Sequence, residues 1–208
     1  MSTVSSLRRL TLVVTAATAA LAASSVPAMA STAGTTCPAA PLSNPFAAWG
    51  DDADYMLAAG GSVEDGNAGW SLNSGAGAVE GNETYMVTSP RDHLSMRLPG
   101  SASATTARMC VGIEHPSFRF FVKRSSGSAA STLLAEVVYD DASGRELVLP
   151  AGVVSGSNSW APSQSLPTMV EQIGATAGAA VEISLRFRSQ GGGSWLIDDV
   201  YVDPTRGR

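Results

Sequence analysis

The sequence lacks the short motifs that usually identify an enzyme. It has only two cysteines and two histidines among 208 residues, and neither cysteine belongs to a C-x-x-C pair. It contains no G-x-S-x-G nucleophile motif and no H-E-x-x-H zinc motif. The sequence therefore favours a non-enzymatic binding protein. Two alternatives stay open: an extracellular hydrolase whose paired carboxylates are not recognisable by spacing, and a scaffold protein without a small ligand.

Basic side chains are scarce, and Lys123 is the only lysine. The chain carries 13 basic and 18 acidic residues, a formal net charge of −5. Without Arg8 and Arg9, which we expect to be removed, the chain has eleven basic and eighteen acidic residues. Nucleic-acid-binding domains need a basic face. The composition therefore predicts no nucleic-acid partner.

Long hydrophobic runs are also missing, apart from one near the start. Residues 10–23 form an apolar run of about 14 residues, whereas a bilayer span needs about 20. Arg8 and Arg9 precede this run, and Ala28-Met29-Ala30 follows it as a small-x-small cleavage site. We therefore predict a signal peptide at 1–30, secretion, and no membrane span in the mature chain. The arginine pair leaves both the general and the twin-arginine export routes open.

The two cysteines, Cys37 and Cys110, both lie in the predicted exported part. An oxidising compartment favours one disulfide between them. Two buried, unpaired thiols are the alternative.

What the sequence does contain is a series of short strand-like runs separated by Gly, Ser, Asn and Pro. This spacing is typical of an all-β sandwich. We divide the chain into an irregular segment at 31–60, one β-sandwich domain at 61–203 and a C-terminal tail at 204–208, and we expect a monomer. Residues 168–180 could form one helical turn. The predicted strands are 68–72, 84–88, 93–98, 108–113, 117–124, 131–139, 145–149, 160–166, 181–188 and 195–202.

Alternation within two of these strands suggests a polar face. Strands 117–124 and 181–188 each place apolar residues on one side and cations on the other. If both strands share a sheet, Arg119, Arg186 and Arg188 would lie on one surface with Glu136 of strand 131–139. Such a face could bind a hydroxylated or anionic ligand.

Two distant segments carry a family resemblance. Gly61-Ser62-Val63-Glu64 with Gly69-Trp70, and the closing Ile197-Asp198-Asp199-Val200, resemble the first and last strands of galactose-binding-like jelly rolls, the fold of many carbohydrate-binding modules. That family usually has an aromatic residue where this chain has Val63. Residues 45–61 and 108–116 also resemble exported proteins of high-GC bacteria without an assigned activity. The resemblance implies a jelly roll that binds carbohydrate or another cell-envelope component.

Several modules of this fold hold a structural calcium where the first and last strands meet. The resemblance places Glu64 and one of Asp198 and Asp199 in such a site. Calcium takes six to eight oxygen ligands. Consecutive strand residues point to opposite faces, so only one of the two aspartates could join Glu64 unless the strand bulges. The alternative is that these carboxylates are solvated or paired with arginine.

Aromatic residues make up only 6% of the chain, which does not favour a tight polysaccharide binder. Trp70 and Trp195 lie in strands that form the family's core, so we assign them to packing. Candidates for contact with a sugar ring are Trp49, Tyr85 and Trp160.

The remaining polar motifs are weak as sites. The acidic run at 51–54 lacks the spacing of a calcium-binding loop and is interpreted as a solvated loop. His93 and His115 each follow a carboxylate, which would suit a dyad or a zinc pair, but isolated histidines at strand edges are usually structural. The glycines at 191–193 indicate a hairpin turn.

Overall fold

The structure is a computed structural model that describes residues 32–34 and 36–205. The predicted signal peptide at 1–30 lies outside the described residues, as do residues 206–208. Two antiparallel sheets pack face to face, which confirms the predicted all-β jelly-roll sandwich.

The first sheet is built around one long strand, β13 (Ala180–Gln190). On one side of it lie β9 (Thr132–Asp140) and then β10 (Glu146–Val154); on the other lie β6 (Ser103–Thr106) and then β3 (Trp70–Asn73). Two short strands, β1 (Thr32–Gly34) and β7 (Met109–Val111), also pair with β13.

The second sheet is built around the last strand, β14 (Ser194–Asp203). It pairs with β8 (Ser117–Ser126) on one edge and with β5 (Leu94–Leu98) on the other, and β4 (Gly77–Glu80) lies beyond β5. Next to β8 lie β11 (Ala161–Pro162) and β12 (Leu166–Pro167), and β2 (Met56–Leu57) pairs with β14. Residues 198–200 of β14 fall between the segments paired with β5 and β2.

The core between the sheets follows from period-two alternation. In β13, the predicted inward set is fully buried: Val181, Ile183, Leu185 and Phe187. Phe118 and Phe120 of β8 meet this set from the opposite sheet, with the rings of Phe120 and Phe187 4.8 Å apart. Trp70 and Trp195 also belong to this core, as predicted.

A second, smaller apolar cluster covers the outer face of the second sheet. Phe121 and Tyr201 belong to it, whereas their chain neighbours belong to the main core. Since neighbouring strand residues point to opposite faces, this cluster lies outside the sandwich. The irregular segment before β2 supplies Phe46 and Tyr55, and Trp160 completes the cluster. We call it the outer cluster.

Arg119 fixes the N-terminal segment onto this outer cluster. Its guanidinium lies 4.3 Å from the centre of the Phe46 ring and 2.6 Å from Asp51. The Tyr55 hydroxyl donates a hydrogen bond to the same Asp51 carboxylate at 2.8 Å. The acidic run that begins at Asp51 is thus partly used for internal contacts rather than being wholly solvated.

The prediction that Arg119 shares a face with Arg186 and Arg188 is wrong. β8 lies in the second sheet, whereas β13 pairs with β9 in the first, with Arg186 opposite Glu136. Alternation showed that each strand has one buried face, but it carries no information on which strands are neighbours.

Some strand boundaries also differ from the prediction. Residues 84–88 form no strand, because the whole stretch from 81 to 93 is an irregular loop. The two ends of this loop meet where the Gly81 amide donates a hydrogen bond to the His93 carbonyl at 2.7 Å. The predicted strand at 160–166 divides into β11 and β12, and β2, β4 and β6 were not predicted. At 168–180 the Ile173 amide bonds to the Met169 carbonyl, a single helical turn.

The predicted disulfide joins Cys37 to Cys110, with the two Cα atoms 5.4 Å apart. It attaches the start of the N-terminal segment to β7 at the edge of the first sheet.

Candidate functional site

Five carboxylates gather beside the gap in the pairing of β14, and we call them the acidic hub: Glu64, Glu83, Asp92, Asp198 and Asp199. The strand bulges here, with a register shift between Asp198 and Tyr201, and Asp199 has a φ of +48°. Asp and Asn tolerate this left-handed region better than most residues. The bulge brings both neighbouring aspartates into one buried site, which a regular strand would not do.

Hydrogen bonds connect the hub to two loops. Asp198 Oδ2 accepts the Glu83 amide at 3.1 Å, and Asp199 Oδ1 accepts the Thr88 hydroxyl at 2.7 Å. Glu64 Oε1 accepts the amides of His93 and Leu94 at 2.9 and 2.8 Å. The hub thus connects the turn after β2 and the 81–93 loop to the last strand.

Burial is the main influence on the ionisation of Asp198 and Asp199. Burial, with some help from Glu83, Asp92 and Glu64, raises the pKa of Asp199 to about 7. Burial and the adjacent Asp199 raise the pKa of Asp198 to about 9. Without a compensating cation, these carboxylates therefore resist ionisation.

Several polar atoms of this region are buried without a hydrogen-bond partner among the described residues. Asp199 is 1% exposed, yet its Oδ2 has no partner, and the same holds for Asp92 Oδ2 and the side-chain amide of Asn82. Buried polar groups are normally paired. Unpaired oxygens among carboxylates are what a hard cation such as Ca²⁺ would use.

In the described part of the chain, one group of three metal-binding side chains has its ligand atoms within 4.8 Å of one another: Cys37, Glu114 and His115. No three carboxylates of the hub come that close. Cys37 is in the disulfide, so its sulfur is not a thiolate and cannot act as a normal metal ligand. This group therefore does not form a zinc site.

An open groove of about 590 Å³ lies over the outer cluster. Trp49 and Tyr85, 36% and 45% exposed, both line it and pack against each other edge to face, with ring centres 4.6 Å apart. Trp49 ends a short 3-10 helix, Ala47–Trp49, and both rings rest on Phe121. The groove has no Asp, Glu, Lys, Arg or His among its lining residues: Ser43, Asn44, Pro45, Ala48, Trp49, Tyr85 and Val87.

Hydrogen bonds hold both walls of this aromatic groove. The Tyr85 hydroxyl donates to the carbonyl of Trp160 at 2.9 Å. The Asn44 side-chain amide donates to the carbonyls of Asp52 and Ala53 at 3.2 and 3.1 Å. Trp160 itself is 6% exposed, with the Lys123 ammonium 5.3 Å from its ring, so it supports the groove from below.

The opposite surface of the molecule is a polar face on the first sheet. Glu136 binds Arg186 at 2.7 Å and Arg188 at 3.4 Å, so three of the predicted ligand residues do lie together. An adjoining groove of about 370 Å³ is lined by Ser and Thr side chains with Arg108, Glu146 and Arg186. The ion pairs already satisfy most of its charge.

Sequence reasoning missed three residues of the hub and its surroundings: Glu83, Thr88 and Asp92. None belongs to a recognisable motif, and Glu83 lies 115 residues from its partner Asp198. Only an alignment that showed these positions to be invariant could have indicated them.

His115 is buried and structural. Its Nδ1 accepts the Gly112 amide at 3.0 Å, which requires a ring without a proton on that nitrogen. Burial lowers the pKa of His115, although the nearby Glu114 offsets part of this effect.

We expect His115 to make the fold less stable in mild acid. An unfolded histidine has a pKa of about 6.5; the folded pKa is lower, so the unfolded state binds the proton first. The contribution is complete above pH 6.5 and is lost as the pH falls through the folded pKa. Asp198 and Asp199, whose pKa values are raised, contribute a slope of the opposite sign to both proteins. The histidine slope is therefore measured as the difference between wild type and His115→Asn, which keeps an acceptor near Nδ1, in denaturant unfolding between pH 7.5 and 4.5. An unchanged slope in the variant would contradict this account.

Within the residues that the structure describes, no helix is long and apolar enough to cross a membrane.

A scan against protein-family models finds no match for this chain, and a search of the curated proteins finds none either. Solved structures do match. The CBM22-1 xylan-binding domain of Paenibacillus barcinonensis Xyn10C is 16% identical, with a TM-score of 0.50 over 75% of this chain and 97% of that one. The CBM22-1–GH10 modules of Clostridium thermocellum xylanase 10B are 19% identical, with a TM-score of 0.51 over 71% of this chain and 28% of that one. This chain therefore has the β-sandwich fold of carbohydrate-binding modules.

Proposed function

We propose that this protein is a secreted, monomeric, non-enzymatic carbohydrate-binding module, and that it binds a neutral sugar of the cell envelope or its surroundings in the aromatic groove. The observation that carries this proposal is the exposed Trp49–Tyr85 pair. Apolar faces of sugar rings stack on such rings, and the pair is held in place by Phe121 beneath it. The lining lacks ionised side chains, which favours an uncharged ligand.

The proposal includes a structural calcium ion at the acidic hub. The fit rests on the unpaired Asp199 Oδ2 and on the raised pKa of Asp199. Asp199 would be a ligand through its unpaired Oδ2. Glu64 would have to exchange His93 Nδ1, which lies 2.9 Å from its Oε2, for the ion. Both oxygens of Asp198 already accept amides, from Glu83 and Asp199. A bound Ca²⁺ would supply positive charge to the hub and so keep these carboxylates ionised.

The polar face of the first sheet is the second candidate site. Its hydroxyls and arginines suit a hydroxylated or anionic ligand. Against it, Glu136 already satisfies Arg186, and its groove has no aromatic ring among its lining residues. A hydrolase centred on the aspartates of the hub is disfavoured because Asp198 and Asp199 are 0% and 1% exposed and out of reach of a polymer.

Replacing Trp49 by alanine should weaken sugar binding at least about tenfold, because an exposed aromatic anchor is worth about 1.4 kcal/mol or more. Trp49→Phe keeps a stacking ring and should lose less. Arg188→Ala, on the opposite face, leaves Glu136 paired with Arg186 and serves as the control. Titration calorimetry would measure the affinity for xylohexaose, cellohexaose and β-1,4-galactotriose, after a glycan-array survey.

Other outcomes would redirect the assignment. If Arg188→Ala weakens binding and Trp49→Ala does not, the ligand site is the polar face of the first sheet. If neither the array nor cell-wall material binds the protein, the scaffold interpretation replaces the present proposal.

A further inference from the structure

We propose that the acidic hub controls the aromatic groove, so that a divalent cation at the hub and a neutral sugar in the groove bind with positive coupling. The connecting element is residues 82–88, which we call the linking segment. The identity of the groove's ligand as a sugar rests on the proposed function. The link between the hub and the groove does not, so the link and the sugar assignment can fail separately.

Near both of its ends, the linking segment is attached to the last strand. The Glu83 amide donates to Asp198, and the Thr88 hydroxyl donates to Asp199. Thr88 also bonds to the Tyr201 hydroxyl at 2.5 Å, so the attachment reaches the outer cluster as well. Both contacts join residues more than a hundred positions apart.

Between these two attachment points, the linking segment forms a wall of the groove. The Glu83 carboxylate accepts the amide of Tyr85 and, at 2.8 Å, the amide of Val87. Tyr85 and Val87 both line the groove. Glu83 is therefore a positioning residue: its amide faces the hub, and its carboxylate fixes the backbone that presents the Tyr85 ring.

Apart from the packing of Tyr85 on Trp49 and Phe121, few contacts hold the linking segment in place. It contains no strand or helix, and Met86 has a φ of +53°, which is unfavourable for a long side chain. Its conformation consequently depends on the contacts of Glu83 and Thr88 with β14, together with the Tyr85 hydroxyl bond to Trp160.

A cation at the hub would change how firmly this wall is held. Without one, Asp198, Asp199 and Glu83 are buried next to one another, and the Asp199 Oδ2 oxygen has no partner among the described residues. A divalent cation would give this oxygen a partner and so stabilise the arrangement to which the linking segment is bonded. Since the same arrangement presents Tyr85, a sugar that contacts Tyr85 favours it too.

Coupling of this kind is reciprocal. Whatever factor Ca²⁺ contributes to sugar affinity, the sugar must contribute to Ca²⁺ affinity. Couplings between two sites in one protein typically amount to about 5–150-fold.

The first test needs no sugar. Amide hydrogen exchange of the mature protein, stripped with a chelator and then reloaded with Ca²⁺, should show slower exchange at Tyr85 and Val87 in the loaded form, by about fivefold or more. The amides of β9, in the other sheet, should change less. If Ca²⁺ raises the melting temperature but leaves the linking segment unchanged, the ion is only structural and the coupling is refuted.

Two variants test the connection. Thr88→Val removes the hydroxyl that donates to Asp199, whereas Thr88→Ser keeps it and is the matched control. Glu83→Gln keeps one acceptor oxygen but removes the charge. We expect Ca²⁺ to bind Thr88→Val but to protect Tyr85 and Val87 less than in the wild type. Equal protection in Thr88→Val, Glu83→Gln and the wild type would overturn the proposal.

The second test adds xylohexaose or whichever neutral probe the array identifies. The factor by which Ca²⁺ raises probe affinity should equal the factor by which the probe raises Ca²⁺ affinity, and Thr88→Val should reduce both. If the segment is protected but no sugar binds, the proposed function fails while the control of the groove by the hub stands. If a sugar binds equally well with and without Ca²⁺, the coupling fails and the proposed function stands.

Discussion

Removing the disulfide by Cys37→Ser with Cys110→Ser should lower the free energy of unfolding by about 4–5 kcal/mol. The bridge joins residues 73 positions apart, and in the chain-entropy model a closed loop of this length restricts the unfolded chain by that amount. A fold of this size is stable by about 5–15 kcal/mol in total. The loss should therefore be visible as a much lower denaturant midpoint, with a steeper slope because the unfolded chain exposes more surface once the bridge is gone.

The structure indicates which part of the fold would loosen first. The bridge attaches the N-terminal segment near the point where it crosses to the outer cluster, where Phe46 is fully buried. Wild-type protein under reducing conditions should behave like the double variant, which serves as its control. A decrease of less than about 1 kcal/mol in the free energy of unfolding would show that Phe46, Arg119 and the short strand β2 hold the segment without the disulfide.

Chelating calcium should lower the melting temperature by about 5–10 °C. Ligand present at a hundred times its dissociation constant stabilises a fold by about 2.7 kcal/mol, and 1 kcal/mol shifts the melting temperature of a chain of this size by about 2–4 °C. The hub joins the turn after β2, the 81–93 loop and the last strand, which meet only in the folded chain, so the unfolded state has no such site.

Asp199→Asn is the sharpest variant for this prediction, since asparagine also tolerates the positive φ at that position. It should abolish the sensitivity to chelator, as should Glu64→Ala. Glu64→Ala also loses two hydrogen bonds to backbone amides and should be less stable in chelator as well. Asp65→Asn, an exposed carboxylate next to Glu64, is the control and should respond to chelation like the wild type. Identical melting curves with and without chelator would leave the hub as a cluster of protonated acids.

The aromatic groove shows how far residue type alone can lead. Exposed aromatics were expected among Trp49, Tyr85 and Trp160, and two of the three do face solvent together. The third is buried because the chain from β10 to β11 places it under the Tyr85 hydroxyl. A tryptophan in a loop gives no indication of whether another loop will cover it.

The acidic hub was likewise predicted only in part from the sequence. Glu64, Asp198 and Asp199 were identified by resemblance to the first and last strands of a known fold, and the bulge required for both aspartates to share one site was stated as a condition. The structure meets that condition through the left-handed Asp199. It also adds Glu83 and Asp92, which no local pattern indicated.

The packing roles of Trp70 and Trp195 followed from the resemblance to galactose-binding-like jelly rolls. The sequence by itself determined the all-β sandwich, the inward faces of β8 and β13, and the favoured pairing of the only two cysteines. These features depend on local alternation, on turn residues and on composition, all of which can be read along the chain. Only the tertiary structure decided that Arg119 lies apart from Arg186 and Arg188, and that Glu83 connects the last strand to the aromatic groove. The physical reason is that strand order and loop contacts join residues about fifty to more than a hundred positions apart. The same alternating pattern would be satisfied equally well by many other strand pairings and registers.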